Sequence, residues 1–184
     1  FSYFVSGNFS YLKNWVSDIG VKNADGTPGV WTNDKRFRNI PYVIQTAEGE
    51  PLNSFYLIKT DGIFQSDAEA AAYVNEKGER IQPNAQAGDL KFVDYNGDGK
   101  ITDEDRQYMG NATPKTTFAF TLGLTWKKLS FSAMFQGVGG AQAMYVGKYM
   151  LLSDVEGNFN RSSEILNAWS PSNTGSDIPR LSKN

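Results

Sequence analysis

The residues best placed to do chemistry lie in one run of twelve, Asp94-Tyr95-Asn96-Gly97-Asp98-Gly99-Lys100-Ile101-Thr102-Asp103-Glu104-Asp105. Its D-x-[DN]-x-[DN]-G spacing is that of a loop wrapped around an oxygen-seeking cation. Asp94, Asn96 and Asp98 supply side-chain oxygens from positions 1, 3 and 5, and Gly99 permits the sharp turn at position 6. Lys100 would offer its backbone carbonyl from position 7 while its ammonium points to solvent, and Thr102 at position 9 would act directly or through water. Ile101 is apolar where such a loop packs back on its domain, and Asp105 closes the run at position 12 with a shorter arm than the usual glutamate. Five carboxylates face a single lysine within the run, a crowding that costs Coulomb energy unless a cation relieves it. A solvated turn would use some of the same residues, but the match at so many positions favours calcium. The flanks read as strand and turn, so the expected ion is structural, with Kd on the order of 10⁻⁴–10⁻³ M.

Other chemistry is largely closed. The chain has 184 residues, no cysteine and no histidine, which removes thiol nucleophiles, imidazole bases, disulfides and the common zinc sites. No G-x-S-x-G context surrounds a serine. Glu48, Glu50, Asp67 and Glu69 sit in loop or helix-cap settings, where solvation and capping account for them. Gly137-Val138-Gly139-Gly140 lacks the helix and acidic residue of a nucleotide loop. A net charge of −2 argues against nucleic acid as a partner. The expectation is a protein that is not an enzyme. Trp31, Tyr42, Phe55, Tyr56, Tyr145, Tyr149 and Trp169 lie in loop-like segments and could stack on sugars, although packing is the commoner use of such residues.

The elements around the loop are mostly strands. Over residues 1–20, Phe1, Tyr3, Val5, Gly7, Phe9 and Tyr11 alternate with Ser2, Ser6, Asn8 and Ser10, interrupted by Phe4 and Leu12. That is a period-two strand pattern. Residues 21–50 read as loop, with Asn23–Gly29, a charged Asp34-Lys35-Arg36 cluster and a short extended piece at Tyr42–Gln45. Residues 51–65 form a strand-like segment broken at Asp61-Gly62. Ser66 to Glu69 fits a capping box, so a short helix should run to Asn75 and end near Gly78.

The clearest pattern spans residues 117–136. Phe118, Phe120, Leu122, Leu124 and Trp126 share one face, and Thr117, Ala119, Thr121, Gly123 and Thr125 share the other. Lys127-Lys128 turns the chain, after which Leu129, Phe131, Ala133 and Phe135 alternate with Ser130, Ser132 and Gln136. Two strands of about ten residues match a tilted membrane-crossing strand. No charge interrupts either one, and Trp126 lies where an aromatic girdle would. Pattern alone leaves a membrane barrel and a soluble β-domain both open. Gly137–Gly140 should break the second strand, and residues 141–184 should be irregular apart from a short helix near Ser163–Trp169. The chain opens inside an alternating pattern, so it reads as an internal piece of a longer polypeptide.

Taken in order, several runs carry a family resemblance. Gly49–Tyr56 and Asp61–Gln65 precede the run from Gly88 through Ile101, which is followed by Asp105-Arg106 and Gly110–Lys115. Phe131–Gly140, Asn167–Pro171 and Ile178–Leu181 complete the set. Together they resemble the SusC/RagA family of TonB-dependent outer-membrane transporters of Bacteroidota. The resemblance implies an all-β fold: part of a large antiparallel transmembrane β-barrel, with long extracellular loops that carry short helices. Residues 1–184 would be a fragment of the barrel domain, without its plug, and 94–105 an EF-hand-like calcium loop within it. Asp94, Asn96, Asp98, Lys100 and Asp105 would then hold Ca²⁺ to stiffen an outer loop. The implied partners are a SusD-like surface lipoprotein, the TonB–ExbB–ExbD complex acting through the plug, and outer-membrane lipid. The implied activity is import of glycan oligomers or peptides into the periplasm, from the outer membrane of a Gram-negative cell. The rival reading is a secreted, calcium-stabilised β-module that binds carbohydrate.

Overall fold

The computed structural model describes residues 1–22, 29–31, 43–152 and 160–181, with backbone alone at 149 and 150. The Asp34-Lys35-Arg36 cluster, Tyr42, most of Asn23–Gly29 and the Tyr149 ring lie outside what is described. The strands are β1 (Ser2–Tyr11), β2 (Val30–Trp31), β3 (Ile44–Thr46), β4 (Ser54–Ile58) and β5 (Thr60–Ile63). Helix α1 (Asp67–Ala72) precedes β6 (Leu90–Phe92), β7 (Arg106–Asn111), β8 (Thr116–Trp126) and β9 (Leu129–Gly139), and α2 (Val146–Leu152) follows. The fold is thus all-β with a few short helices, as expected. The chain divides into two compact units: Phe1–Tyr56 with Tyr108–Ala143, and Leu57–Gln107 with Met144–Asn184.

In the first unit, β1, β8 and β9 form an antiparallel meander in which β8 is central. Tyr3 sits opposite Leu124, Val5 opposite Leu122 and Phe9 opposite Phe118, while Phe120 pairs onward with Phe135 and Leu124 with Phe131. Directly opposed residues share a face, so the register gathers most of the large apolar side chains of the three strands onto one side, leaving Phe4, Met134 and Val138 on the other. The other side carries Ser6 with Thr121, Ser10 with Thr117 and Thr125 with Ser130, whose hydroxyls are 3.2 Å apart. The apolar side is uncovered: Tyr3 is 70% exposed, Phe9 69%, Phe131 58% and Phe135 62%. A water-soluble monomer seldom leaves so large a continuous patch bare. Sheets with one continuous apolar side and a mostly small, polar opposite side make up barrel walls.

Two glycines in this sheet serve as seats for aromatic rings. The Phe4 ring covers Gly123 so closely that an added Cβ would lie 1.9 Å from it, and Phe118 covers Gly137 at 2.4 Å. This cross-strand covering of a glycine by an aromatic ring pins register. It also explains why β9 runs on to Gly139, past the expected break at Gly137, with positive φ confined to Gly140 (76°). Gly123→Val should expel the Phe4 ring and cost about 1–3 kcal/mol as an overpacked substitution. Urea unfolding of the variant checks this, with Gly123→Ala intermediate. At the hairpin, Lys127 takes φ 54° and its Nζ lies 5.0 Å from the centre of the Trp126 ring.

Expectation and structure differ on β1, which ends at Tyr11 rather than near residue 20. Its last ladder contact is Leu12 N–H to the Lys115 carbonyl, 2.8 Å, where β8 begins and beyond which nothing continues the pairing. Strands β2, β3, β4 and β7 form a small sheet in that order. Val43 and Ala47 are buried around it, together with the polar Gln45, Thr46, Ser54 and Asn111.

In the second unit, Phe64 (fully buried), Ala70 and Ala85 make a core against which Tyr73 packs. Ser66 caps α1 by accepting the Glu69 N–H at 3.1 Å, and Glu69 reaches back to the Gln65 N–H at 2.8 Å. The helix stops at Ala72, earlier than Asn75, because the chain turns at Tyr73, whose hydroxyl donates to the Phe92 carbonyl at 2.9 Å. Strand β5 pairs with β6 through a register shift at the expected Asp61-Gly62 break, Gly62 having φ 78°. Arg180 grips Asp89 through Nε–Oδ1 (2.7 Å) and Nη2–Oδ2 (3.2 Å), and Trp169 Nε1 donates to Gln65 Oε1 (3.1 Å). The hydrogen bond to Asp89 holds the Arg180 guanidinium above its ordinary pKa. Helix α2 has no capping signal and was not expected, whereas the anticipated helix near residue 163 is a 3₁₀ segment, Ser163–Asn167.

Candidate functional site

The twelve-residue loop leaves β6 after the Val93 N–H bonds the Lys59 carbonyl at 2.9 Å. Asp94 folds it back on itself: Oδ1 accepts the Gly97 N–H and Oδ2 the Gly99 N–H, each at 2.8 Å. Asn96 Oδ1 accepts from Asp98 N–H (3.0 Å) and Asp98 Oδ1 from Lys100 N–H (2.8 Å). Each of these Asx turns bends the chain by one step. Gly97 and Gly99 take φ of 74° and 83°, which side chains disfavour. Asn75 packs directly over Gly99, leaving no room for a Cβ.

Asp105 behaves differently from the other four. It is fully buried, and its Oδ1 accepts the N–H groups of Tyr95 (2.8 Å) and Asn96 (3.4 Å) while Oδ2 accepts that of Thr102 (2.7 Å). Thr102 caps the short Asp103–Asp105 turn in return, completing a capping box. The position-12 carboxylate therefore ties the start of the loop to its end. Sequence spacing singled it out as a ligand and missed this role, which the one-methylene arm makes possible by keeping the carboxylate near its own backbone. Asp103 pairs with Arg106 at 2.8 Å, which leaves Arg106 compensating part of the local charge.

The donors suit a hard cation in type, being oxygens throughout, and a carboxylate oxygen that accepts one amide keeps a second lone pair. Among the described residues no group of three or more acidic side chains stands close enough to share an ion. The structure brings Asp94 and Asp105 onto the same stretch of backbone. Asn96 and Asp98 stay exposed on the loop, and Lys100 is exposed beside them.

A cleft of about 260 Å³ lies in the first unit, where β1 ends and β8 begins. Tyr11, Lys13, Trp15, Glu50, Tyr108 and Lys115 are among its walls. The segment after β1 is pinned there by Val16 N–H to the Glu50 carbonyl (3.0 Å), Gly49 N–H to the Val16 carbonyl (2.8 Å) and Leu52 N–H to Asn14 Oδ1 (3.1 Å). Tyr108 meets Tyr56 edge-on, ring centres 6.4 Å apart. Burial pushes the Tyr56 phenol up to about 12, with the Glu50 carboxylate and Tyr108 adding to the rise. The neutral phenol is the form the fold favours. Its contribution is complete below the unfolded value near 10 and is lost as pH climbs from about 10 to 12, up to about 2 kcal/mol after solvent screening. Denaturation midpoints measured from pH 9 to 12 should fall for the wild type, and Tyr56→Phe should flatten the last part of that fall.

Of the aromatic residues proposed to stack on sugars, Trp169 is buried and bonded to Gln65, and Phe55 and Tyr56 are half-buried in β4. Tyr145 is 70% exposed. The aromatics that line the cleft, Tyr11, Trp15 and Tyr108, were not singled out from sequence, because they belong to a strand end and two separate segments that only the fold brings together.

No family model matches the chain. It is 32% identical over 133 residues, 72% of its length, to the TonB-dependent receptor P3 of Formosa agariphila. Over 132 residues, again 72% of its length, it is 33% identical to the TonB-dependent receptor P26 of the same organism. The matched segments are 12% and 13% of those proteins, so the chain spans about an eighth of the length of the curated relatives it matches. With a β-meander that leaves one whole side apolar and bare, and this similarity running along most of its length, the chain belongs to the TonB-dependent receptor family.

Proposed function

We propose that this chain supplies wall strands and outward loops to an outer-membrane TonB-dependent importer of the SusC type. In this reading the importer moves glycan oligomers or peptides into the periplasm, with a SusD-like lipoprotein at its mouth and the TonB–ExbB–ExbD complex as its energy source, and no reaction is catalysed. The observation that carries the reading is the bare apolar side of β1, β8 and β9, backed by a side that is mostly small and polar, with Phe4, Met134 and Val138 as its large apolar members. A strand of eleven residues rising about 3.3 Å each and tilted about 40° crosses roughly 25–30 Å, the height of the apolar band. The connections support an orientation. Lys127-Lys128 is a two-residue turn at one end, while the long segments after Tyr11 and Gly139 leave from the other. Outer-membrane barrels keep short turns on the periplasmic side and long loops outside.

In the same reading the 94–105 loop takes Ca²⁺ through Asp94, Asn96, Asp98 and the Lys100 carbonyl, with Asp105 as anchor or ligand, and the ion stiffens an outward loop. Terbium titration should show one saturable site that Asp94→Ala abolishes.

The test of the whole reading is fractionation of the intact protein in its native envelope, with a heat-modifiability gel and identification of what co-purifies. A heat-modifiable outer-membrane band that brings down a lipoprotein supports it. A secreted protein without such a companion replaces it with the calcium-stabilised carbohydrate-binding module.

A further inference from the structure

We propose that the cleft at the outer end of β1 and β8 binds the phosphate-bearing headgroup of an anionic membrane lipid. The inference rests on the membrane reading above and adds to it a site and a ligand chemistry. The cleft and the apolar side of the sheet are continuous, because Tyr11 belongs to both: it closes the row of Tyr3, Val5 and Phe9 on β1 and lines the cleft. Tyr11 and Trp15 stand 62% and 60% exposed, as aromatics do at the level of lipid headgroups. Lys13 holds its Nζ 5.6 Å from the centre of the Trp15 ring, a cation–π contact that keeps the ammonium beside that aromatic wall of the cleft. The Lys115 stem packs against Gly140, where an added Cβ would meet it at 3.0 Å, which limits how far that ammonium can stray.

Among the described residues neither Lys13 nor Lys115 is in an ion pair. Glu50 is the one carboxylate among the cleft walls, and its field is felt by Tyr56. Two ammonium groups against one carboxylate leave the cleft cationic. An amphiphile suits that arrangement: its acyl chains lie on the apolar face and its phosphate meets the lysines. A soluble anion would use the lysines and leave the adjoining apolar face uncovered.

The intact protein would be placed in bilayers of equal phosphatidylglycerol and phosphatidylcholine, extracted gently, and its retained lipid counted by native mass spectrometry. The wild type should retain phosphatidylglycerol about fivefold over phosphatidylcholine, given roughly one lysine's worth of net attraction to an anionic surface. Lys13→Gln with Lys115→Gln should bring the ratio to about one while the total lipid retained stays the same. An unchanged ratio in the double variant, or no preference in the wild type, overturns the proposal. Displacement of the lipid by soluble glycerol phosphate at matching concentration also overturns it, by showing a site for free anions. If the membrane reading itself is wrong, no lipid of either kind is retained, an outcome distinct from a lost preference.

Discussion

Asp105→Ala is expected to unfasten the whole 94–105 loop. The substitution removes the acceptor for three backbone N–H groups, those of Tyr95, Asn96 and Thr102, at a position with no access to water. Hydrogen bonds to a charged group are worth about 1.5–3 kcal/mol each, and amides stranded in a buried place cost more than a bond lost at the surface. A local loss of about 3 kcal/mol or more follows, or on the order of 100-fold faster amide exchange at those three residues. Hydrogen exchange read residue by residue in the intact protein measures it. Asp98→Ala is the comparison. Asp98 is exposed and accepts one amide, that of Lys100, so its loss should cost under about 1 kcal/mol. A calcium ligand that did nothing else would make the two variants alike. Exchange rates that rise equally in both would show that the loop depends on its ion and not on the Asp105 anchor.

Phe120→Lys should prevent assembly into the membrane. Phe120 sits near the middle of β8 on the apolar side, with Gly7 opposite on β1 and Phe135 on β9. A lysine facing lipid near the midplane costs about 2–4 kcal/mol, a large share of the roughly 5–15 kcal/mol by which most folds are stable. Its neighbour Thr121 faces the other way, between Ser6 and Met134. Thr121→Lys should fold and insert with a change below about 1 kcal/mol, because in the proposed barrel that side faces the lumen. Heat-modifiability and urea unfolding in lipid vesicles compare the two. Equal tolerance of both lysines would mean that neither side meets hydrocarbon.

These two predictions differ in how much of them could be read from the residues alone. The Phe120 and Thr121 faces follow from alternation, and so does the tight Lys127-Lys128 turn. The role of Asp105 was hidden because spacing reports which oxygens a cation could reach, and says nothing of which amides compete for them. The Gly137 break was misjudged for a related reason. Glycine weakens a strand through its missing side chain, but the Phe118 ring from the neighbouring strand supplies that bulk.

By itself, the order of residues determined the local features: two-sided strands, the helix cap at Ser66, the turn glycines of the loop, and the all-β class. Each depends on contacts a few residues apart or on the fixed geometry of a single strand, so each is written where it acts. Tertiary structure decided that β1 pairs with β8, so that Tyr11 meets Thr116 across the long insertion between them. It decided that Arg180 would reach back to Asp89, 91 positions earlier, and that Tyr11, Trp15, Tyr108 and two lysines would share one cleft. Alternation marks a strand's faces equally well for any neighbour. Which neighbour it takes is settled only when the hydrogen-bond ladder and the apolar rows of several strands are satisfied together.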